Sequence, residues 1–261
     1  NHKSPTKPHN ISAINRGKIM SFNFLNQYKI KTKFTLALAL PIIGLIISSL
    51  ININNNWQHY QNENNIIERF DFSATIAQLL NSLQKERGLT AGFMGSSGKK
   101  QGEQLKNQRS ITDNKNKEFN QFIEHISNSA ITPKLQIQWK SIQQKLKSIS
   151  TLRSKIDNLS TNSDFFNFYS DINASLVELI KKMGSMVNDT KLAEQSIAYT
   201  NLLILGEKSG QERALNNSVF TKRTITTNQY KQTSSYIDQQ NNAKTAFMLN
   251  ATDQQHIFHF D

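Results

Sequence analysis

The chain has 261 residues, 37% of them hydrophobic, and its 31 Lys and Arg residues outnumber its 19 Asp and Glu residues, giving a formal charge of +12. The lack of cysteine excludes disulfides, thiolate catalysis, iron–sulfur clusters and cysteine-ligated zinc. Ten glycines and four prolines are few for a turn-rich β fold or a glycine-looped nucleotide fold, and this composition favours long helices.

The first 33 residues form a basic leader. They contain seven Lys or Arg residues and no acidic residue, whereas the rest of the chain has 24 basic and 19 acidic residues. Residues 1–19 are polar and contain two prolines, and we expect a disordered stretch ahead of a start at Met20. The excess positive charge is therefore mainly an N-terminal feature.

Residues 34–53 predict a membrane-spanning helix. These twenty residues carry no charge, and at a rise of about 1.5 Å per residue they cross a hydrocarbon core of about 30 Å. A cleaved signal peptide and a buried core helix are the alternatives, but the run is long and lacks an A-x-A cleavage pattern. Three lysines lie just before the span and the next basic residue is Arg69, so the positive-inside rule places the leader in the cytoplasm and residues 54–261 outside.

Residues 54–261 predict an antiparallel helical bundle. Residues 57–94 contain apolar side chains at the three- and four-residue spacing of a helix face. Further helices are predicted, in chain order, at residues 103–127, from Pro133 to residue 149, and at residues 165–188, 192–219 and 226–249. Helices joined by short breaks bury their apolar stripes against one another, so we predict an all-α fold with one transmembrane helix.

Two motifs of the form Glu-Arg-small-Leu lie in helices that are distant in sequence, at residues 86–89 and 212–215. Arg87 and Arg213 each follow leucines at helical spacing, and both guanidinium groups are expected to point from an apolar stripe into the interior. Two interpretations remain open. Each arginine is neutralised by a protein carboxylate, or both converge on a small anion whose oxygens a guanidinium binds bidentately.

Three segments around these motifs occur in a fixed order: residues 83–95 (LQKERGLTAGFMG), 108–113 (QRSITD) and 206–214 (GEKSGQERA). Together they resemble the nitrate- and nitrite-sensing (NIT) domain of bacterial receptors, most closely the versions attached to methyl-accepting chemotaxis proteins. The resemblance covers about residues 65–250. It implies a dimeric, all-helical sensor of two stacked four-helix bundles, in which arginines on facing helices bind nitrate or nitrite.

The resemblance also identifies ligand candidates residue by residue. Arg87 and Arg213 match the arginines of the family's two Glu-Arg motifs, and Arg109 matches a further family position. Arg109 lies four residues before Asp113 on a predicted helix, so a structural ion pair between these two is the preferred alternative for it. Glu86 departs from a soluble relative that carries adjacent arginines in the first motif, and it adds negative charge beside the predicted site.

The function implied by the resemblance is the sensory part of a bacterial transmembrane receptor of the chemotaxis type. We expect it in the plasma (inner) membrane, with the sensor domain periplasmic or extracellular and ending before a second span. The expected partners are nitrate or nitrite, the membrane, a second copy of the chain and, through a cytoplasmic module, chemotaxis signalling proteins. The alternatives are the sensor region of a histidine kinase or cyclic-dinucleotide enzyme, and a helical dimerisation domain without an anion ligand.

No catalytic, cofactor or metal site is predicted. The sequence contains no Walker loop, dinucleotide fingerprint, HExxH or Gly-x-Ser-x-Gly motif. His256 and His259 lie near Asp253 and Asp261, but histidines at this spacing are more often accidental than metal-binding. We therefore expect a binding protein rather than an enzyme, without a cofactor. No nucleic-acid partner is expected either, because the basic residues cluster in the leader, where they indicate the orientation of the helix in the membrane.

Overall fold

The computed structural model describes residues 29–126, 130–160 and 164–255, and within these ranges the chain is helical, with no strand. The prediction of an all-α fold is confirmed. The chain forms two units, Asn1–His59 and Tyr60–Asp261. Seven helices follow one another in the described residues: α1 (Ile30–Gly95), α2 (Gly102–His125), α3 (Pro133–Lys147), α4 (Ile149–Asp157), α5 (Phe165–Gly184), α6 (Thr190–Lys222) and α7 (Thr227–Asn250).

The predicted membrane span lies in the N-terminal part of α1. Large apolar side chains in residues 34–53 are exposed, among them Phe34 at 70% and Leu45 at 68%. Among the described residues, α1 is the one helix long and apolar enough to cross a membrane. A separate helix was predicted from residue 57, but α1 runs on without a break because residues 45–87 contain neither proline nor glycine. The leader up to residue 28 lies outside the described residues.

The core of the second unit lies between α1 and the helices α2 to α5. Phe72 of α1 stacks on Phe119 of α2, with ring centroids 5.7 Å apart, and meets the edge of the Trp139 ring of α3 at 6.1 Å. Burial of each large apolar side chain contributes about 1.5–3 kcal/mol. The apolar stripe predicted on α1 is confirmed, because its four members are at most 1% exposed: Ile76, Leu79, Leu80 and Leu83.

Local signals set where several of the helices begin. Pro133 begins α3, and the side chain of Thr132 caps it. A capping box formed by Thr226 and Gln229 begins α7. The predicted third helix extended to residue 149, but the structure divides it at Ser148 into α3 and the short helix α4. The division matters because α4 carries Arg153, which pairs with Glu86 next to the first arginine motif.

Helix α6 packs against α5 and α7 and thereby positions the second arginine motif. At the end of α5, a Cβ atom on Gly184 would lie 2.8 Å from the Cβ of Ser196, so glycine permits a close approach of the two helices. Farther along α6, the side chains of Ser209 and Glu212 both hydrogen-bond to Gln240 of α7, at 2.9 and 2.7 Å. These contacts hold the middle of α6 between its two neighbours.

Candidate functional site

A groove of about 920 Å³ lies between the C-terminal part of α1 and the middle of α6. Three cationic side chains line it, Lys85, Arg87 and Arg213, and none of the described residues that line it is acidic. Its remaining polar lining consists of amide and hydroxyl side chains: Asn81, Gln84, Gln101, Gln108, Ser209 and Asn217. The groove therefore offers positive charge and hydrogen-bond donors to a ligand.

Small residues keep the α6 wall of the groove open. Gly206, Gly210 and Ala214 recur every four residues and therefore share one face of the helix. A Cβ atom on Gly210 would lie 3.2 Å from Nη2 of Arg87, whereas one on Gly206 would meet nothing within 4 Å. The absence of a side chain at Gly210 thus leaves room for the Arg87 guanidinium against α6.

Arg87 is buried, as its position on the apolar stripe predicted, with a side chain only 3% exposed. Its Nη1 lies 2.5 Å from Oε1 of Glu207 on α6, and its Nη2 lies 3.2 Å from Oε2. Nη1 also donates to Ser170 of α5 at 2.8 Å, and the guanidinium lies over the Phe166 ring at 5.1 Å. The positive charge of Arg87 is therefore compensated by a protein carboxylate.

Glu207 is as deeply buried as its partner, with a side chain 4% exposed. Besides Arg87, three amide nitrogens donate to its carboxylate: those of Gln84 at 2.8 Å, Asn173 at 3.1 Å and Gln211 at 2.7 Å. These residues belong to α1, α5 and α6, so the carboxylate is where three helices meet. Its hydrogen bonds offset the cost of burying the charge.

Arg213 differs from the expectation of an interior position. Its side chain is exposed and lines the groove. Leu202, a leucine at helical spacing eleven residues before Arg213, is itself 38% exposed. Within the described part of the chain, Arg213 forms no ion pair. Its guanidinium is thus available to a ligand in the groove.

Glu86 does not line the groove. It is fully buried and accepts hydrogen bonds from Nε and Nη2 of Arg153 at 2.7 and 2.9 Å, and from the Tyr169 hydroxyl at 2.6 Å. Burial and the charge of Glu86 raise the pKa of Tyr169. Burial lowers the pKa of Arg153, but its hydrogen bonds and charge interactions with Glu86 and Asp113 outweigh that effect and raise it. Arg153 therefore compensates the negative charge that Glu86 adds next to Arg87.

The predicted ion pair between Arg109 and Asp113 is wrong. Nη1 of Arg109 binds both carboxylate oxygens of Asp157, at 2.8 and 3.0 Å, and Asp113 instead accepts from Nη1 of Arg153 at 2.8 Å. Helix α4 brings Arg153 and Asp157 to α2, and these cross-helix partners replace the local one. Arg109 thus pairs with Asp157, its Nε lies 4.0 Å from Oε1 of the buried Glu86, and it does not line the groove.

The nitrate- and nitrite-sensing family matches residues 78–259, which is more than half of the chain. The chain belongs to this family. The match includes Arg87, Arg109 and Arg213, and it confirms the resemblance drawn from the sequence motifs. The groove between α1 and α6 is thus a feature of a NIT domain.

A solved structure shares this NIT fold. The NasR transcription antiterminator matches with a TM-score of 0.73 and 19% sequence identity, over 81% of this chain and 57% of its own length. The chain therefore spans little more than half of that protein, and at this identity the likeness concerns the fold alone. None of the curated proteins matches the chain.

Several residues around the NIT groove were not predicted as part of the site. Glu207 lies inside the quoted segment 206–214, but its pairing with Arg87 has no local signal, since the two are 120 residues apart. Arg153 has no motif of its own. Lys85 is adjacent to the first motif and is found only because the groove reaches it. His256 and His259, weighed as metal ligands, lie outside the described residues.

Proposed function

We propose that this chain is the sensory part of a bacterial transmembrane receptor of the chemotaxis type, which binds nitrate or nitrite in the groove between α1 and α6. The observation that carries the proposal is the set of three cations, Lys85, Arg87 and Arg213, in a groove whose described lining contains no carboxylate. Guanidinium groups match the planar oxygens of these anions. Membership of the nitrate- and nitrite-sensing family supports the choice of ligand.

Binding would transmit a signal because the groove joins two helices that are distant in sequence. An anion held by both Arg87 on α1 and Arg213 on α6 favours the helix arrangement in which the two guanidinium groups are close. Helix α1 is also the helix that carries the candidate span, residues 34–53. We propose a homodimer in the plasma membrane with the sensor outside, no enzymatic activity in this chain, and chemotaxis proteins as downstream partners.

A second function is favoured by one observation, the complete compensation of Arg87 by Glu207. In that alternative the NIT domain is a helical dimerisation module, and Arg87 only stabilises the bundle. The two functions differ in whether an anion binds.

The test is isothermal titration of the 261-residue chain, in detergent and a halide-free buffer, with nitrate, nitrite and chloride. We expect saturable binding of nitrate or nitrite, no equivalent binding of chloride, and at least about a tenfold loss of affinity in Arg213→Ala. The matched control is Lys191→Ala, which removes an exposed positive charge from the same helix outside the groove. A folded wild-type chain that binds none of the three anions would support the dimerisation module instead.

A further inference from the structure

Glu207 holds Arg87 in the way that an anionic ligand would. Its two carboxylate oxygens face Nη1 and Nη2 of the guanidinium at 2.5 and 3.2 Å. This is the bidentate arrangement by which guanidinium groups bind planar oxyanions in general. The forked donor pair of Arg87 is therefore already occupied by a group of the same charge and a similar shape to nitrite or one edge of nitrate.

The remaining contacts of the carboxylate are also those of an anion site. The amide nitrogens of Gln84, Asn173 and Gln211 point donors at it from three helices, at 2.7 to 3.1 Å. Together with Arg87 they make five donor contacts to two oxygens. Gln84 and Arg87 belong to the lining of the groove as well, so the ring of donors borders the space open to ligand.

We propose that Glu207 determines the affinity and selectivity of the anion site, because its carboxylate is a tethered competitor that a free planar oxyanion must displace from Arg87. This inference rests on the proposed function. A tethered group has an effective concentration of about millimolar or more, so it weakens the apparent affinity of a free ligand.

Selectivity among anions depends on which anion can replace the Glu207 carboxylate at Nη1 and Nη2 of Arg87. Nitrate and nitrite each present two oxygens in one plane, so they can restore both contacts to Nη1 and Nη2 of Arg87. A spherical halide presents no such pair and leaves part of the donor ring without an acceptor. Since unmade hydrogen bonds of buried donors are costly, a halide exchanges for Glu207 poorly.

The experiment is nitrate titration of the Glu207→Gln variant of the 261-residue chain beside the wild type. The substitution removes the competing charge but keeps the size of the side chain, and we expect nitrate affinity to rise at least about tenfold. Nitrate should also raise the Tm of Glu207→Gln more than that of the wild type, since only the variant has an uncompensated Arg87 to neutralise. The matched control is Glu212→Gln, which removes the same charge from the same helix at a side chain bonded to Gln240.

The outcomes separate this inference from the function it rests on. If the wild type binds nitrate and folded Glu207→Gln binds it equally or more weakly, Glu207 is a positioning residue and the inference is overturned while the function stands. If neither protein binds nitrate, both are overturned. Should Glu207→Gln not fold, Glu207→Asp retains the charge on a shorter side chain; tighter nitrate binding then supports the inference, and equal or weaker binding overturns it.

Discussion

Glu86 and Arg87 are consecutive in α1, yet each pairs with an opposite charge on a different helix, Glu86 with Arg153 of α4 and Arg87 with Glu207 of α6. Successive side chains on a helix differ in direction by about 100°, so one turn of α1 can enter two separate interfaces. The same turn is thereby held from both sides. Only the Arg87 side borders the groove.

Loss of one partner of the buried Arg87–Glu207 ion pair is expected to destabilise the bundle strongly. Arg87→Met leaves the carboxylate of Glu207 buried without its cation, at a cost of about 3–5 kcal/mol in free energy of unfolding. The double variant Arg87→Met with Glu207→Gln should recover part of that loss, because no charge then remains buried and the glutamine carbonyl still accepts from the surrounding amide groups. Urea unfolding followed by circular dichroism measures both. A double variant no more stable than the single one would contradict this account of the pair.

Substitution of Arg153 and of Arg109 is expected to lower the free energy of unfolding by different amounts. Arg153→Ala leaves the fully buried Glu86 without its main partner and should cost about 3–5 kcal/mol. Arg109→Ala should cost less than Arg153→Ala, since its partner Asp157 is 56% exposed and its contact with the buried Glu86 is longer, at 4.0 Å. Urea unfolding of the two variants compares these costs.

Arg109→Ala is also expected to leave nitrate affinity unchanged, because Arg109 does not line the groove. Titration with nitrate checks this, and Arg213→Ala serves as the comparison that loses affinity. A large loss of affinity in Arg109→Ala, at unchanged stability, would place Arg109 in the binding site.

Two glycines on the same wall of the groove allow a matched comparison. Gly206→Ala should stabilise α6 by up to about 1 kcal/mol, since alanine is the better helix former and its Cβ would meet nothing within 4 Å. Only the new Cβ at residue 210 meets the Arg87 guanidinium, at 3.2 Å, and must displace it. We therefore expect several-fold weaker nitrate binding in Gly210→Ala alone. Equal affinities of the two variants would show that the position of Arg87 at the wall is unimportant for binding.

The buried Tyr169 hydroxyl predicts a dependence of stability on alkaline pH. Its pKa in the folded chain is raised, so the folded state retains the proton where the unfolded state loses it. The contribution of Tyr169 to the free energy of unfolding is constant below pH ~10 and declines above it by about 1.4 kcal/mol per pH unit. Urea unfolding between pH 8 and 11 gives the free energy of unfolding of the wild type and of Tyr169→Phe. The difference between the two values should decline as the pH rises above about 10. Parallel pH profiles would contradict it.

The sequence by itself determined the features that depend on neighbouring residues. A period of about 3.6 residues placed Ile76, Leu79, Leu80 and Leu83 in the core, and the same spacing made Arg87 an interior residue. Pro133 marked where α3 begins, because the first position of a helix tolerates proline. The family motifs are likewise local, so the NIT family was evident before the fold was known.

Tertiary structure alone decided which charges meet. Arg87 pairs with a glutamate 120 residues away, and Arg109 pairs with Asp157 rather than with Asp113 in its own helix. Arg213 is exposed and lines the groove. An ion pair between distant helices depends on how those helices pack, and carboxylates are too common in the sequence for spacing to identify the one that approaches.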